Sequence, residues 1–149
     1  MYKHILISSD GSEVGQKGVD HGLSLAKALG AQVTIITVTE RFPVYADGLT
    51  VAYAMSESLM AEYTAGQTEA ANAILSAAKQ AADRLGVSAD TLHVPNGQPA
   101  EAIIEAAKSR NCSLIAMASH GRRGLGRLVL GSVTSEVLAH SPVPVLVVR

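Results

Sequence analysis

A chain of 149 residues with a hydrophobic share of 48% and an aromatic share of only 3% is long enough for one domain, 1–149. Folding such a chain removes roughly two-thirds of its unfolded surface from water, and the core must be built mostly from Ala, Val, Leu and Ile. A net charge of −1 argues against a general binder of nucleic acid or other polyanions while leaving local basic patches open. The one cysteine, Cys112, excludes an intrachain disulfide and a multi-cysteine zinc site, and a reducing compartment is its simplest reading. Met1-Tyr2-Lys3-His4 runs directly into an apolar segment of about five residues, too short for a secretory signal. No apolar run approaches the ~20 residues of a membrane span. A soluble cytoplasmic protein is expected.

The first element is a strand over Lys3–Ser9, centred on Ile5-Leu6-Ile7 and stopped by Ser9-Asp10-Gly11-Ser12. Ser12 or Asp10 can cap the helix that follows. That helix carries Gly15, Gly18, Val19, Gly22, Leu23, Ala26 and Leu29 at helical spacing, with Gly30 as its C′ residue. Its three glycines weaken it by about 1 kcal/mol each relative to alanine, but they let the backbone lie close to a sheet. Val33–Val38 is β-branched almost throughout and predicts a strand. Arg41–Met55, with Pro43 and Gly48, has no period and reads as loop. Ser56–Leu85 predicts a long Ala-rich helix with Ala70, Ile74, Ala77, Ala81 and Leu85 as its buried stripe, ended by Gly86.

Thr91–Val94 is a third, shorter strand. Gly97-Gln98-Pro99 opens a helix with proline in the first turn, and Ala102, Ile103, Ala106 and Ala107 form its buried side. Ser113–Ala118 is a fourth strand, Ser132–His140 a helix and Val143–Val148 a fifth strand. Strands alternating with helices predict an α/β fold: an open parallel sheet of five strands with helices on both faces. The strands read as continuous apolar runs, as strands covered on both faces should.

Ligands of such sheets sit beyond the C-terminal strand ends, where the strand order reverses. Two loops there bear polar and glycine residues: Ser8-Ser9-Asp10-Gly11-Ser12, and Ala118-Ser119-His120-Gly121-Arg122-Arg123-Gly124-Leu125-Gly126-Arg127. The second leads to Gly131-Ser132-Val133-Thr134 at a helix start. Glycines permit close backbone approach, a helix N-terminus offers N–H groups and a favourable dipole, and Arg122, Arg123 and Arg127 supply positive charge. From spacing alone the stretch reads equally as a phosphate cradle or as a turn with solvated arginines, in which Ser132 is only an N-cap. His120 reads as a phosphate contact or a solvated histidine. The other four histidines form no metal-ligand pairing on a helix face, so no metal site is expected. Cys112 reads as a packed, inert thiol, and Glu101 and Glu105 as a solvated face.

The run from Gly121 through nine residues to Gly131-Ser132 resembles the nucleotide motif of ATP-binding universal stress proteins, with Ala118 in place of its first glycine. Lys3-His4-Ile5-Leu6-Ile7 with Asp10 and Ser12, Gly97-Gln98-Pro99-Ala100-Glu101-Ala102-Ile103, and Ser141-Pro142-Val143-Pro144-Val145-Leu146-Val147-Val148 extend the resemblance end to end. It implies a Rossmann-like sheet of the adenine nucleotide α-hydrolase type, with strand order 3-2-1-4-5. The ligand implied is ATP, or AMP or ADP, with Mg2+ as an optional companion of the phosphates. Asp10 would then lie near the ribose, with Ser9, Gly11 and Ser12 among the nucleotide-binding residues, and Val38 would read the adenine edge through its main chain. Ala118, Ser119, His120, Gly121, Arg122, Arg123 and Gly124 would wrap the phosphates, and Gly131, Ser132, Val133 and Thr134 would close over them. An alanine at 118 is unfavourable by about 1 kcal/mol if that position has positive φ, and nearly neutral if it is extended.

The resemblance implies a nucleotide-binding regulatory protein of the stress response. A second class is the nucleotide-independent interaction module; a third is an ATP-hydrolysing enzyme. Against an enzyme, the chain lacks a Walker A sequence and a Gly-x-Gly-x-x-Gly after strand one. Its first loop is not the Ser-Gly-Gly-x-Asp-Ser loop of ATP pyrophosphatases, and no acid, base and nucleophile set suggests catalytic residues. The expected partners are an adenine nucleotide and a second copy of the chain, joined through Val145–Val148 if that strand lies at the sheet edge, as it does in the family. No membrane or nucleic-acid partner is expected.

Overall fold

The computed structural model describes residues 1–42, 56–121 and 129–149. Five strands, β1 (His4–Ser8), β2 (Gln32–Val38), β3 (Ala89–Val94), β4 (Leu114–Ala118) and β5 (Val145–Val148), form one parallel sheet in the order β3-β2-β1-β4-β5. The four helices among the described residues are α1 (Glu13–Leu29), α2 (Glu57–Leu85), α3 (Pro99–Ser109) and α4 (Ser132–His140).

Alternating side chains of β1 serve two cores. Ile5 and Ile7 join Val33, Ile35 and Ala116 against α1 and α2, whereas Leu6, Ile36, Ile115 and Met117 pack on α3 and Val137 of α4. The glycine face of α1 sets its distance from the sheet. A Cβ on Gly18 would lie 3.1 Å from the Ala118 nitrogen, and one on Gly22 would lie 2.6 Å from Ile7 Cδ1. Gly30 and Gly86 end α1 and α2 with φ of 63° and 70°, a region a Cβ disfavours.

Several expectations need correction. The buried stripe of α2 is Ala71, Leu75, Ala78 and Ala82; Ala70 and Ala77 are exposed, and Ile74, Ala81 and Leu85 are half-buried. On α3 the fourth buried residue is Ala100, with Ala102 half-buried. Leu29 points to solvent. β3 begins at Ala89, because Ala89 and Asp90 pair with Val33 and Thr34 despite their poor strand propensity. β5 begins only at Val145, after the two prolines. β3 is also an edge strand, exposed at Asp90 and Thr91, not a strand covered on both faces. Most of the loop expected over Arg41–Met55 lies outside the described residues. Among the described residues no helix is long and apolar enough to cross a membrane.

Candidate functional site

The first wall of the site is the turn from β1 into α1. Ser9 is buried, its N–H donating to Ile36 O at 3.0 Å, and Gly11 turns the chain at φ 76° while its N–H donates to Ser9 Oγ at 3.3 Å. Ser12 is the N-cap of α1, its Oγ accepting from the Gly15 N–H at 3.0 Å. Asp10 therefore does not cap the helix. Its Oδ1 accepts from the Ser12 N–H at 3.0 Å and the Ser12 hydroxyl at 2.6 Å, which fixes the carboxylate. Gly15 and Gly121 flank that carboxylate so closely that a Cβ on either would meet one of its oxygens at 2.5 Å.

The second wall joins the end of β4 to the start of α4. The Ser119 N–H donates to Val148 O at 2.7 Å, and Ser119 O accepts from the Gly131 N–H at 2.8 Å. The buried Thr134 hydroxyl donates to Ala118 O at 2.9 Å. These bonds bring residues 118–121 against 131–134 across a long sequence gap. Gly131, not Ser132, is the N-cap of α4. Having no side chain, it cannot accept from the first-turn N–H groups, which makes this end electropositive. A Cβ on Gly131 would stand 3.1 Å from His120 Cα. His120 is held from the other side by a hydrogen bond of 3.0 Å between its Nδ1 and Ser119 Oγ. Ala118 is a strand residue without positive φ, so the alanine is the nearly neutral case.

The third wall is the end of β2. In a parallel ladder alternate residues turn to alternate neighbours. Ile36 turns to β1, accepting from Ser9, while the Thr39 N–H turns to β3 and donates to Val94 O at 3.0 Å. Val38 therefore turns its main chain to the β1 side, beyond the point where β1 has left the sheet.

These walls enclose a cleft of about 540 Å³, within the range of small-ligand sites. Ser9, Asp10, Val38, His120, Gly121 and Gly131–Thr134 line it. Gly11, Ser12, Ala118 and Ser119 are not in the lining but brace residues that are. Arg122, Arg123 and Gly124 lie outside the described residues, as does Arg127. The sequence reading missed Thr37, Thr39 and Glu40 of the β2 end, Pro99 and Ile103 of α3, and a face of α2 from Tyr63 to Ile74. Their one legible signal was that Ala70 and Ile74 lie at helical spacing. A second groove, about 420 Å³ between α3 and α4, is lined by Glu101, Glu105 and Glu136 with Lys108 and His140; its carboxylates repel anions.

Among the described residues no cluster of three His, Cys, Asp or Glu side chains is placed to hold a metal ion. Cys112 is only 5% exposed, and burial pushes its thiol up to about 11, against a smaller lowering by Arg110. It is a core residue, not a nucleophile at neutral pH.

A parallel sheet whose order reverses between β1 and β4, with a cleft and a helix N-terminus at that reversal, defines an α/β protein of the doubly wound class. The model of the universal stress protein family matches residues 1–149, and the chain belongs to that family. It is 35% identical to the universal stress protein YxiE of Bacillus subtilis over 149 residues, covering 100% of both chains. Among solved structures it is similar to the hypothetical protein MJ0577, with a TM-score of 0.80 and 29% identity, over 99% of this chain and 96% of that one. It shares its fold with a universal stress protein in complex with cAMP (TM-score 0.68, 23% identity, 99% and 97% covered). The same holds for one from Archaeoglobus fulgidus in complex with dAMP (TM-score 0.64, 15% identity, 99% and 98% covered).

Proposed function

We propose that this chain binds an adenine nucleotide, ATP in the first instance, in the cleft at the C-terminal strand ends, and acts as a cytoplasmic regulatory protein of the stress response. The observation that carries the reading is the convergence of Gly121 with the side-chain-free N-cap of α4 on one wall of that cleft. Anions bind where first-turn N–H groups and close backbone approach coincide. The base lies against the Val38 main chain and the ribose near the fixed carboxylate of Asp10. The phosphates lie over Gly121 and Gly131–Thr134. Ala118 is no obstacle, being extended and outside the lining. The relatives solved with cAMP and dAMP support an adenine ligand on this fold.

Calorimetric titration with ATP tests the reading. Wild type should bind, and the double variant Gly121→Val, Gly131→Val should lose binding while keeping its far-ultraviolet dichroism. Unchanged affinity in the double variant would place the phosphates elsewhere.

The outer edge of β5 favours a second role, homodimerisation. Pro144 O accepts from the Ile115 N–H and Val148 O from the Ser119 N–H, so by alternation Val145 and Val147 turn their main chains away from β4. A second copy can add its own β5 there. Val147→Pro removes an outward N–H and spares the β4 ladder. Sedimentation should show a wild-type dimer and a folded monomeric variant; a monomeric wild type at micromolar concentration would reject the dimer.

A further inference from the structure

Tyr63, Gln67, Ala70 and Ile74 open onto the cleft. They recur at three- and four-residue spacing and so form one face of α2. That face is graded, apolar over Ala70–Ile74 and polar at Tyr63 and Gln67. The Tyr63 ring meets Phe42 edge to face, with centroids 5.0 Å apart and planes at 82°. Phe42 lies just past Val38 in the chain, so the polar end of the face stands beside the exit of β2.

Gln67 Nε2 donates to the Tyr63 hydroxyl at 3.1 Å. A glutamine amide has two N–H donors and one carbonyl acceptor. Committing one N–H to Tyr63 fixes the amide's rotation and leaves one donor and one acceptor side by side. That pair matches the N7 acceptor and 6-amino donor of adenine, which glutamine reads bidentately. Guanine offers acceptors at both N7 and O6, and the Gln67 carbonyl would then face another carbonyl.

We infer that Gln67 is a specificity-determining residue that selects a 6-aminopurine over a 6-oxopurine, with Tyr63 as the positioning residue that fixes its amide. The inference rests on the nucleotide reading above and adds which bases that site accepts. It assigns discrimination to a side chain of α2, whereas the strand and loop walls contribute main chain and carboxylate.

Calorimetry with ATP, GTP and 7-deaza-ATP tests it on three proteins. Wild type should prefer ATP to each of the other two by about tenfold. In Gln67→Ala both preferences should collapse towards unity with the fold retained. Tyr63→Phe should lower the ATP-to-GTP ratio mainly by tightening GTP, because the released amide can rotate to donate an N–H to O6 in place of its carbonyl. Unchanged ratios in Gln67→Ala would overturn the inference while leaving the nucleotide site standing, as would a wild type that binds ATP and GTP alike. A wild type that binds none of the three would overturn the site reading and this inference together.

Discussion

The same substitution, glycine to alanine, should have opposite signs at two helical positions of this protein. At Gly66, in α2, an added Cβ meets nothing within 4 Å and φ is not positive. Alanine there gains helix propensity, so Gly66→Ala should stabilise by about 0.5–1 kcal/mol. At Gly22, in α1, the same methyl would lie 2.6 Å from Ile7 Cδ1, 2.9 Å from Ile7 Cγ1 and 3.4 Å from Ala116 Cβ. Ile7 is fully buried among Val19, Leu23 and Ala26, so it cannot turn aside without displacing them. Overpacking of this kind costs about 1–3 kcal/mol, which exceeds the propensity gain of about 1 kcal/mol. Gly22→Ala should therefore destabilise by up to about 2 kcal/mol, and its penalty should shrink in an Ile7→Val background that removes the nearest methyl. Urea melts of the four proteins and of the double variant measure this, and each kcal/mol should also move Tm by roughly 2–4 °C. Gly22→Ala matching the stabilisation of Gly66→Ala would refute the close approach of α1 to β1.

Ser12→Ala removes the α1 cap and a donor to Asp10, and should destabilise by about 1 kcal/mol in a denaturant titration. Ala118→Gly should leave ATP affinity within about twofold while weakening β4 by roughly 0.5–1 kcal/mol, since an extended residue gains nothing from glycine. The Cys112 thiol ionises at about 11 in the fold, above its ordinary 9.0. The unfolded chain therefore releases this proton first on raising the pH. Its contribution is complete below pH 9 and is lost as pH rises towards 11, a slope that pH-dependent melts should find reduced in Cys112→Ala. Thiol labelling at pH 8 should be slow in the native protein and fast in denaturant.

Much of this fold was legible because the decisive residues act locally. β-branched runs mark β1 and β2, Gly30 and Gly86 stop two helices by left-handed caps, and Pro99 opens α3. The buried face of α2 was misread by one position because alanine recurs on all its sides. Ala70–Ile74 and Ala71–Leu75 are equally apolar rows, and only the packed sheet separates cleft from core. The glycine loop and the turn after β1 were legible as candidates, since their residue types are unusual at strand ends. Tyr63 and Gln67 were not, because no local pattern links them to residues 38 or 131. Val38's orientation depends on the parity of a ladder, which is fixed only once the register of β1 against β2 is known.

On the proposed reading, an adenine nucleotide lies across the strand ends with its phosphates on the start of α4. Amide chemical-shift mapping of 15N-labelled protein during an ATP titration tests it most directly. The largest shifts should fall on Gly121, Gly131, Ser132, Val133 and Thr134 and on Val38, and the amides of Glu101, Glu105 and Glu136 beside the α3–α4 groove should stay still. Shifts confined to that groove, or none at millimolar ATP, would contradict the account.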